Sequence, residues 1–330
     1  MKKISALLFA LCIMVTAIST ASAAEEYRIK FGYSASDKES NIITFYDTFE
    51  KYVEEASGGR IAVDVYANAQ LGGERQMLEG MQLGTIEMAM LSPGIAANIA
   101  PKFQVIDLPY LFETREAAYK TLDGKLGEIL NAEILPKGVR LLCFPENGFR
   151  EITTNNAPVK SPADLKGMKI RVQPIPAHLA LFKAFGANPT PVDFGELYTA
   201  LLQKTVDAQE NSITLIYSSK LYEVQKYISM TNHVYAPSAV FMSEAFFQSL
   251  PEDLQQIVLD GAVKFRDASR ANQQKEGERL LKEMVEKNGI EVYYPNAEEM
   301  KQFRDAAQAV YTEMEPVLGK ELIDMARSGN

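Results

Sequence analysis

Glu26-Tyr27-Arg28-Ile29-Lys30-Phe31-Gly32 alternates polar and apolar side chains, a period of two that suits an opening strand with one buried face. Residues 42–56 follow with apolar positions at helical spacing, Gly58-Gly59 ends that run, and residues 60–66 alternate again through Ile61, Val63 and Val65. A turn over 69–73, a helix from 74 to about 84 and a short apolar strand over 86–91 complete the block. Strand, helix, strand, helix, strand is the order of an α/β layer on a mostly parallel sheet.

Beyond it, residues 101–112 are apolar, but Pro101 and Pro109 oppose a continuous helix. Helical spacing resumes over 116–135, and 139–144 reads as a strand. The rhythm breaks near 146–149, and a second block repeats the alternation. It has strands over 152–155, 168–172, 189–192 and 206–210, the last ending at Asn211, with helices over 177–185 and 194–204. Ser161-Pro162-Ala163-Asp164 has the order of a capping box. A third block has strands over 227–230 and 239–243, then a helix from Pro251 toward Lys287, long enough to bridge two lobes. A strand over 292–294 and helices over 298–314 and 317–325 close the chain.

Lys2 and Lys3 precede an apolar stretch to about Ile18, and Ala21 and Ala23 offer a small-residue cleavage site. Residues 1–23 therefore read as a signal peptide, which implies export to the periplasm. Cys12 follows bulky Leu11, against lipid attachment, and no later stretch is apolar for long enough to span a bilayer. Of 34 basic residues against 43 acidic, losing the two leader lysines takes the formal charge from −9 to −11. Such a balance argues against a nucleic-acid partner, which needs basic groups on phosphates. Cys143 alone remains in the mature chain, so no intrachain disulfide forms.

His178 and His233 are isolated in sequence, with no H-E-x-x-H spacing and no cysteine cluster, so no metal site is expected. G-x-S-x-G and Walker patterns are missing, and Gly72-Gly73 lacks a phosphate-binding lysine. The acidic residues read as solvated surface, so neither an enzyme nor a cofactor is expected.

Arg171, at the end of the strand in Gly167-Met168-Lys169-Ile170-Arg171-Val172, stands on the edge where open α/β sheets place ligands. Its planar guanidinium offers paired donors to a carboxylate. Arg150 follows Gly148-Phe149 at the break between blocks, where it can face the same cleft or form an interlobe ion pair. Asn211 supplies a donor and an acceptor, Phe194 an apolar wall, and Tyr198, Tyr217 and Tyr222 hydroxyls.

With these motifs in order the mature chain resembles the periplasmic solute-binding subunits of tripartite ATP-independent (TRAP) transporters, the DctP-like group. The resemblance runs through Ala69-Gln70-Leu71-Gly72-Gly73-Glu74, Leu108-Pro109-Tyr110-Leu111-Phe112, Glu146-Asn147-Gly148-Phe149-Arg150, Gly167-Met168-Lys169-Ile170-Arg171, Gly186-Ala187-Asn188-Pro189-Thr190-Pro191, Phe194-Gly195-Glu196-Leu197-Tyr198 and Asp207-Ala208-Gln209-Glu210-Asn211. It implies an α/β fold of two lobes around a ligand cleft, with a long helix spanning both. Lobe I would hold 25–147 and 237–275, lobe II 148–236 and 276–330.

The family's carboxylate-binding arginine falls on Arg171, a supporting arginine on Arg150, its ligand-contacting asparagine on Asn211 and an aromatic wall on Phe194. Ser34, Ser92 and Gln173-Pro174 fall where the family varies, and Glu74 either accepts from sugar hydroxyls or caps its helix. Sialic-acid binders carry a glutamate where Ser92 stands and an asparagine where Pro174 stands, which counts against that ligand. The resemblance implies a periplasmic receptor for a C4-dicarboxylate, a uronate or another sugar acid, delivered to a membrane permease. The alternatives are a sensor subunit for a membrane signalling protein or a secreted carbohydrate-acid enzyme. No dimerisation surface is read, and a monomer is expected.

Overall fold

The computed structural model describes residues 25–329; the leader expected over 1–23 lies outside them. Eleven strands form two sheets: β1 Tyr27–Tyr33, β2 Ile61–Tyr66, β3 Met88–Leu91, β4 Val139–Cys143, β5 Glu151–Thr154, β6 Lys169–Val172, β7 Asn188–Pro191, β8 Ala208–Asn211, β9 Tyr227–Ser229, β10 Ala239–Ser243 and β11 Glu291–Tyr293. The first sheet has the order β2-β1-β3-β10-β4, the second β11-β9-β5-β8-β6-β7. The parallel pairing expected from the alternation of strands and helices holds within β2-β1-β3 and β8-β6-β7. Each sheet also contains one reversed strand, β10 in the first and β5 in the second. These are the strands next to the two direct strand-to-strand crossings of the chain between sheets, a third passage being made through the helix that leads from β10 to β11.

The crossings are bonded to each other. Arg150 N donates to Val234 O at 2.9 Å, Ala236 N to Gly148 O at 3.0 Å and Ser238 N to Pro145 O at 3.1 Å. Beside them runs the helix Glu252–Asn288, with Glu252 and Asp253 in its first turn, Lys287 in its last and a left-handed Gly289 closing it. Val258, Ala262 and Phe265 pack into the core of the first sheet, and Met284 into a core beside the second. At its middle, the fully buried Ser269 receives Glu146 N at 3.0 Å and donates to Asn41 at 2.6 Å, which fastens the helix to the first crossing.

Several elements differ from their expected form. The helix expected over 116–135 breaks into Arg115–Leu122 and Lys125–Ile134 at Asp123-Gly124, where Gly124 leaves the helical conformation. The helix expected over 42–56 begins at Ser40 and contains a π turn, Tyr46–Glu50. The apolar, proline-bearing region past β3 folds as 3₁₀ turns, Pro93–Asn98 and Pro101–Val105. Short helices Ile213–Ser218 and Glu244–Ser249 were not expected, because neither is long enough to show a period. Cys143 is buried, and burial pushes its thiol up to about 12.

Candidate functional site

Arg171 is the next-to-last residue of β6 and pairs in register with Gln209 of β8. Side chains alternate along a strand, so Arg171, Gln209 and Asn211 share one face while Glu210 points to the other. Arg171 is 1% exposed. Its Nε donates to Val192 O at 2.8 Å, its guanidinium carbon stands 5.8 Å from the centre of the Phe194 ring, and Nη1 is buried without a hydrogen-bond partner. No salt bridge joins it to a carboxylate among the described residues. Burial, only partly offset by Glu210, lowers its pKa to about 10. Asn211 is equally buried; its Nδ2 reaches Gln209 at 3.4 Å and its Oδ1 has no partner. A buried cation and a buried acceptor left open on the same sheet face form a place prepared for a polar ligand.

Glu74 begins the helix Glu74–Leu83 and faces this place from the first sheet. Its carboxylate accepts from Ser34 Oγ at 3.2 Å, Ser92 Oγ at 3.3 Å and Ser92 N at 3.2 Å. Burial raises its pKa, against those bonds and the nearby Arg171. Gln173, two residues past Arg171, donates across the gap to Ser92 Oγ. Ser34, Glu74, Ser92, Asn147, Gln173, Phe194 and Asn211 all line one small cavity of about 20 Å³, room for about one water. An outer cavity of about 460 Å³ shares Ser34 and Phe194 with it and continues along Tyr198 and Ser218. The cleft is therefore shut over a core too small for an organic acid, and a ligand reaches Arg171 only when the two sides part.

Two expected contacts stand elsewhere. Arg150 is bound to Glu210 on the opposite sheet face: its Nε donates to Glu210 Oε2, and its Nη2 to Oε1 at 2.9 Å and to the backbone oxygen at 2.7 Å. The ion pair expected as an alternative was one between lobes; the one found is buried and joins two residues at neighbouring strands of the second sheet. Tyr217 lies on the helix Ile213–Ser218, packs at a tilt against Tyr222 with ring centres 5.5 Å apart and lines neither cleft cavity. Burial and then Glu283 of the long helix raise its pKa. Asn147 and Ser238, which do line the inner cavity, were not singled out from sequence. Asn147 lies within the motif ending at Arg150, which is the signal that pointed to it; Ser238 carries none.

Glu210 also gathers both histidines. His233 Nε2 lies 3.1 Å from its Oε2, and His178 Nδ1 3.6 Å from its Oε1, while His178 Nε2 is 3.1 Å from Asp107. Against the cost of burial, Arg150 and the two histidines hold the Glu210 carboxyl well below its usual range. Burial opposes charge on both imidazoles, but the bonds to Asp107 and Glu210 leave His178 raised, whereas His233 ends lowered. Their contributions to stability run in opposite senses. A raised histidine stabilises below its unfolded value and loses that contribution as pH rises through its folded value; a lowered one destabilises as pH falls below its unfolded value. Measured against the parent, the melting temperature of His178→Gln is therefore expected to fall as pH drops toward about 6.5 from the alkaline side, and that of His233→Gln to rise as pH drops below about 6.5. Calorimetric melts across that range check both signs.

The model of the family described as bacterial extracellular solute-binding protein, family 7 (DctP), matches residues 31–316. The 2,3-diketo-L-gulonate-binding periplasmic protein YiaO of Escherichia coli (strain K12) is 38% identical over 278 residues, 84% of each chain. The C4-dicarboxylate-binding periplasmic protein DctP of Rhodobacter capsulatus is 33% identical over 279 residues, 83% of each. The crystal structure of the sugar acid binding protein DctPAm from Advenella mimigardefordensis strain DPN7T in complex with galactonate superposes with a TM-score of 0.89 at 32% identity. That match covers 93% of this chain and 99% of that one.

Proposed function

This chain belongs to the bacterial extracellular solute-binding proteins of family 7, the binding subunits of TRAP transport systems, and we propose that its ligand is a sugar acid with a single carboxylate. The observation that carries this reading is the buried guanidinium of Arg171, with no ion-pair partner among the described residues, and the half-buried carboxylate of Glu74 near enough to feel its charge. A ligand carboxylate completes Arg171 as a bidentate partner, with Asn211 and Gln173 beside it and the Phe194 ring as an apolar wall. At the other end Glu74, Ser34 and Ser92 suit hydroxyl groups, which donate to a carboxylate and exchange bonds with hydroxyls. A dicarboxylate would bring its second charge toward Glu74, and like charges in a desolvated cleft oppose binding.

The lobes in this reading are 25–147 with 237–275 and 148–236 with 276–330. Arg171, Gln173 and Asn211 then come from one lobe and Glu74, Ser34 and Ser92 from the other, so a ligand makes both sets of contacts only in the closed state and favours closure. Arg150 supports the site indirectly, by fixing Glu210 and thereby β8. The closed receptor works in the periplasm, hands its ligand unchanged to the membrane permease subunits and performs no chemistry on it. YiaO and the galactonate-bound structure support the ligand class, since both names specify sugar acids.

Mass spectrometry of small molecules carried by the gently purified protein, followed by calorimetry with galactonate, L-gulonate and succinate, tests the reading. A sugar acid is expected to bind at micromolar strength or tighter, and succinate about tenfold to a hundredfold more weakly. Glu74→Gln should narrow that gap by removing the opposing charge. Equal or tighter binding of succinate by the unmodified protein would sink the assignment.

A further inference from the structure

A cavity of about 720 Å³ lies away from the cleft and shares no wall residue with its two cavities. Its wall joins the loop before the helix Arg115–Leu122, both crossings, and the helices Ala297–Leu318 and Lys320–Arg327. Two of its residues, Tyr110 and Asn232, have left-handed backbones with φ of 54° and 43°. Neither is glycine, and a bulky aromatic residue adopts that conformation only where its surroundings impose it. They do so here: Tyr110 N donates to His233 O at 3.0 Å, Asn232 N to Glu151 Oε2 at 3.0 Å, and Tyr311 Oη to Pro109 O at 2.8 Å. The result presents the Tyr110 ring to the cavity, with its hydroxyl buried and without a hydrogen-bond partner.

The charge on the wall is basic. Arg115, Arg304 and Arg327 line it against one carboxylate, Glu113. Arg115 is paired with Glu146 at 3.2 Å, but Arg304 and Arg327 form no salt bridge among the described residues. Both are instead laid on aromatic rings, Arg304 at 5.7 Å from the centre of Tyr110 and Arg327 at 4.1 Å from that of Tyr311. Stacking of this kind fixes the direction of a guanidinium; Arg327 also reaches the Tyr311 hydroxyl.

The geometry points to a second binding site, for a small carboxylate carried on a flat apolar body. Arg304 and Arg327 take the carboxylate, the rings of Tyr110, Phe149 and Tyr311 take the body, and the open Tyr110 hydroxyl supplies one more polar contact. The ligand class differs from that of the cleft, whose far end is built of hydroxyl and carboxylate groups and has Phe194 as its aromatic wall.

Two methionines make the sites separately visible, since Met300 lines this cavity and Met90 the inner cleft. The test is titration of benzoate into full-length mature protein carrying ¹³C-methyl methionine, followed by NMR. Saturable movement of the Met300 methyl with Met90 unmoved is expected, and the same response in Arg171→Ala. The Arg304→Gln, Arg327→Gln double variant should bind benzoate about tenfold more weakly or worse, while galactonate still moves Met90 in it. Tyr110→Phe, which keeps the ring, should lose severalfold and stands in for the double variant if that one does not fold. The inference is overturned if Met300 stays still up to about 10 mM benzoate, if benzoate moves Met90 instead, or if neither variant changes the titration. The galactonate response of Met90 reports on the cleft alone, so either site can fail without the other.

Discussion

Replacing Arg171 with alanine is expected to weaken sugar-acid binding by about a hundredfold to several thousandfold, because truncating one partner of a desolvated charge pair costs about 3–5 kcal/mol. The ligand carboxylate would then be buried without its donors. Arg171→Lys should recover little, since an ammonium does not reproduce the paired donors of the guanidinium. The ligand-free variant offers a second readout. Arg171 carries a charge disfavoured by burial and an Nη1 without a partner, so the empty Arg171→Ala protein should melt at the same temperature as the parent or slightly higher. A purely structural arginine would show the opposite. The pH dependence has a fixed sign as well. Bound carboxylate favours the charged guanidinium, whose pKa in the empty protein is lowered to about 10, so affinity should hold up to that pH and fall above it. Calorimetry of the variants at neutral pH, and of the parent across the alkaline range, reads all three effects. Parent-like affinity in Arg171→Ala would remove the residue from the site.

The largest loss of stability is expected from Glu210→Ala. Arg150 and Glu210 are at most 1% exposed, and removing the carboxylate strands a guanidinium and takes the shared acceptor from His178 and His233. Breaking a buried ion pair in this way costs about 3–5 kcal/mol, or roughly 5–15 °C in melting temperature for a chain of this size. Arg150→Met combined with Glu210→Leu should recover most of that loss, because removing both charges leaves nothing stranded. Since the Glu210 carboxyl is held well below its usual range, its contribution is complete above the ordinary carboxylate pKa. It should disappear only as pH falls through the depressed value. A melt of Glu210→Ala within a degree or two of the parent would show that the network is dispensable.

Much of this arrangement could be read along the chain, and the parts that could not have a common cause. Alternation through Lys169–Val172 placed Arg171 near the end of a strand, and the pattern around Pro251 announced the long helix. Those are local signals. The bond between Arg150 and Glu210 joins residues sixty apart, and only the register of β5 on β8, with Ile152 opposite Glu210, sets it. Periodicity in either segment is silent about that register, so Arg150 was equally readable as facing ligand. Tyr217 was misplaced because its six-residue helix is too short to reveal a face. The break at Asp123-Gly124 is different: a glycine there was visible, but the apolar spacing continues in phase on both sides and masks it.

The position of β10 also constrains when the molecule can form. The first sheet holds β4 only through β10, and β10 follows β3 by almost the whole of the second sheet's sequence. A chain emerging from the ribosome thus presents β1, β2 and β3 with an open edge until residue 243 is available, and closing so long a loop is slow. Until then the edge of β3 has no partner strand, and the first sheet is completed only after β5 to β9 of the second have been made.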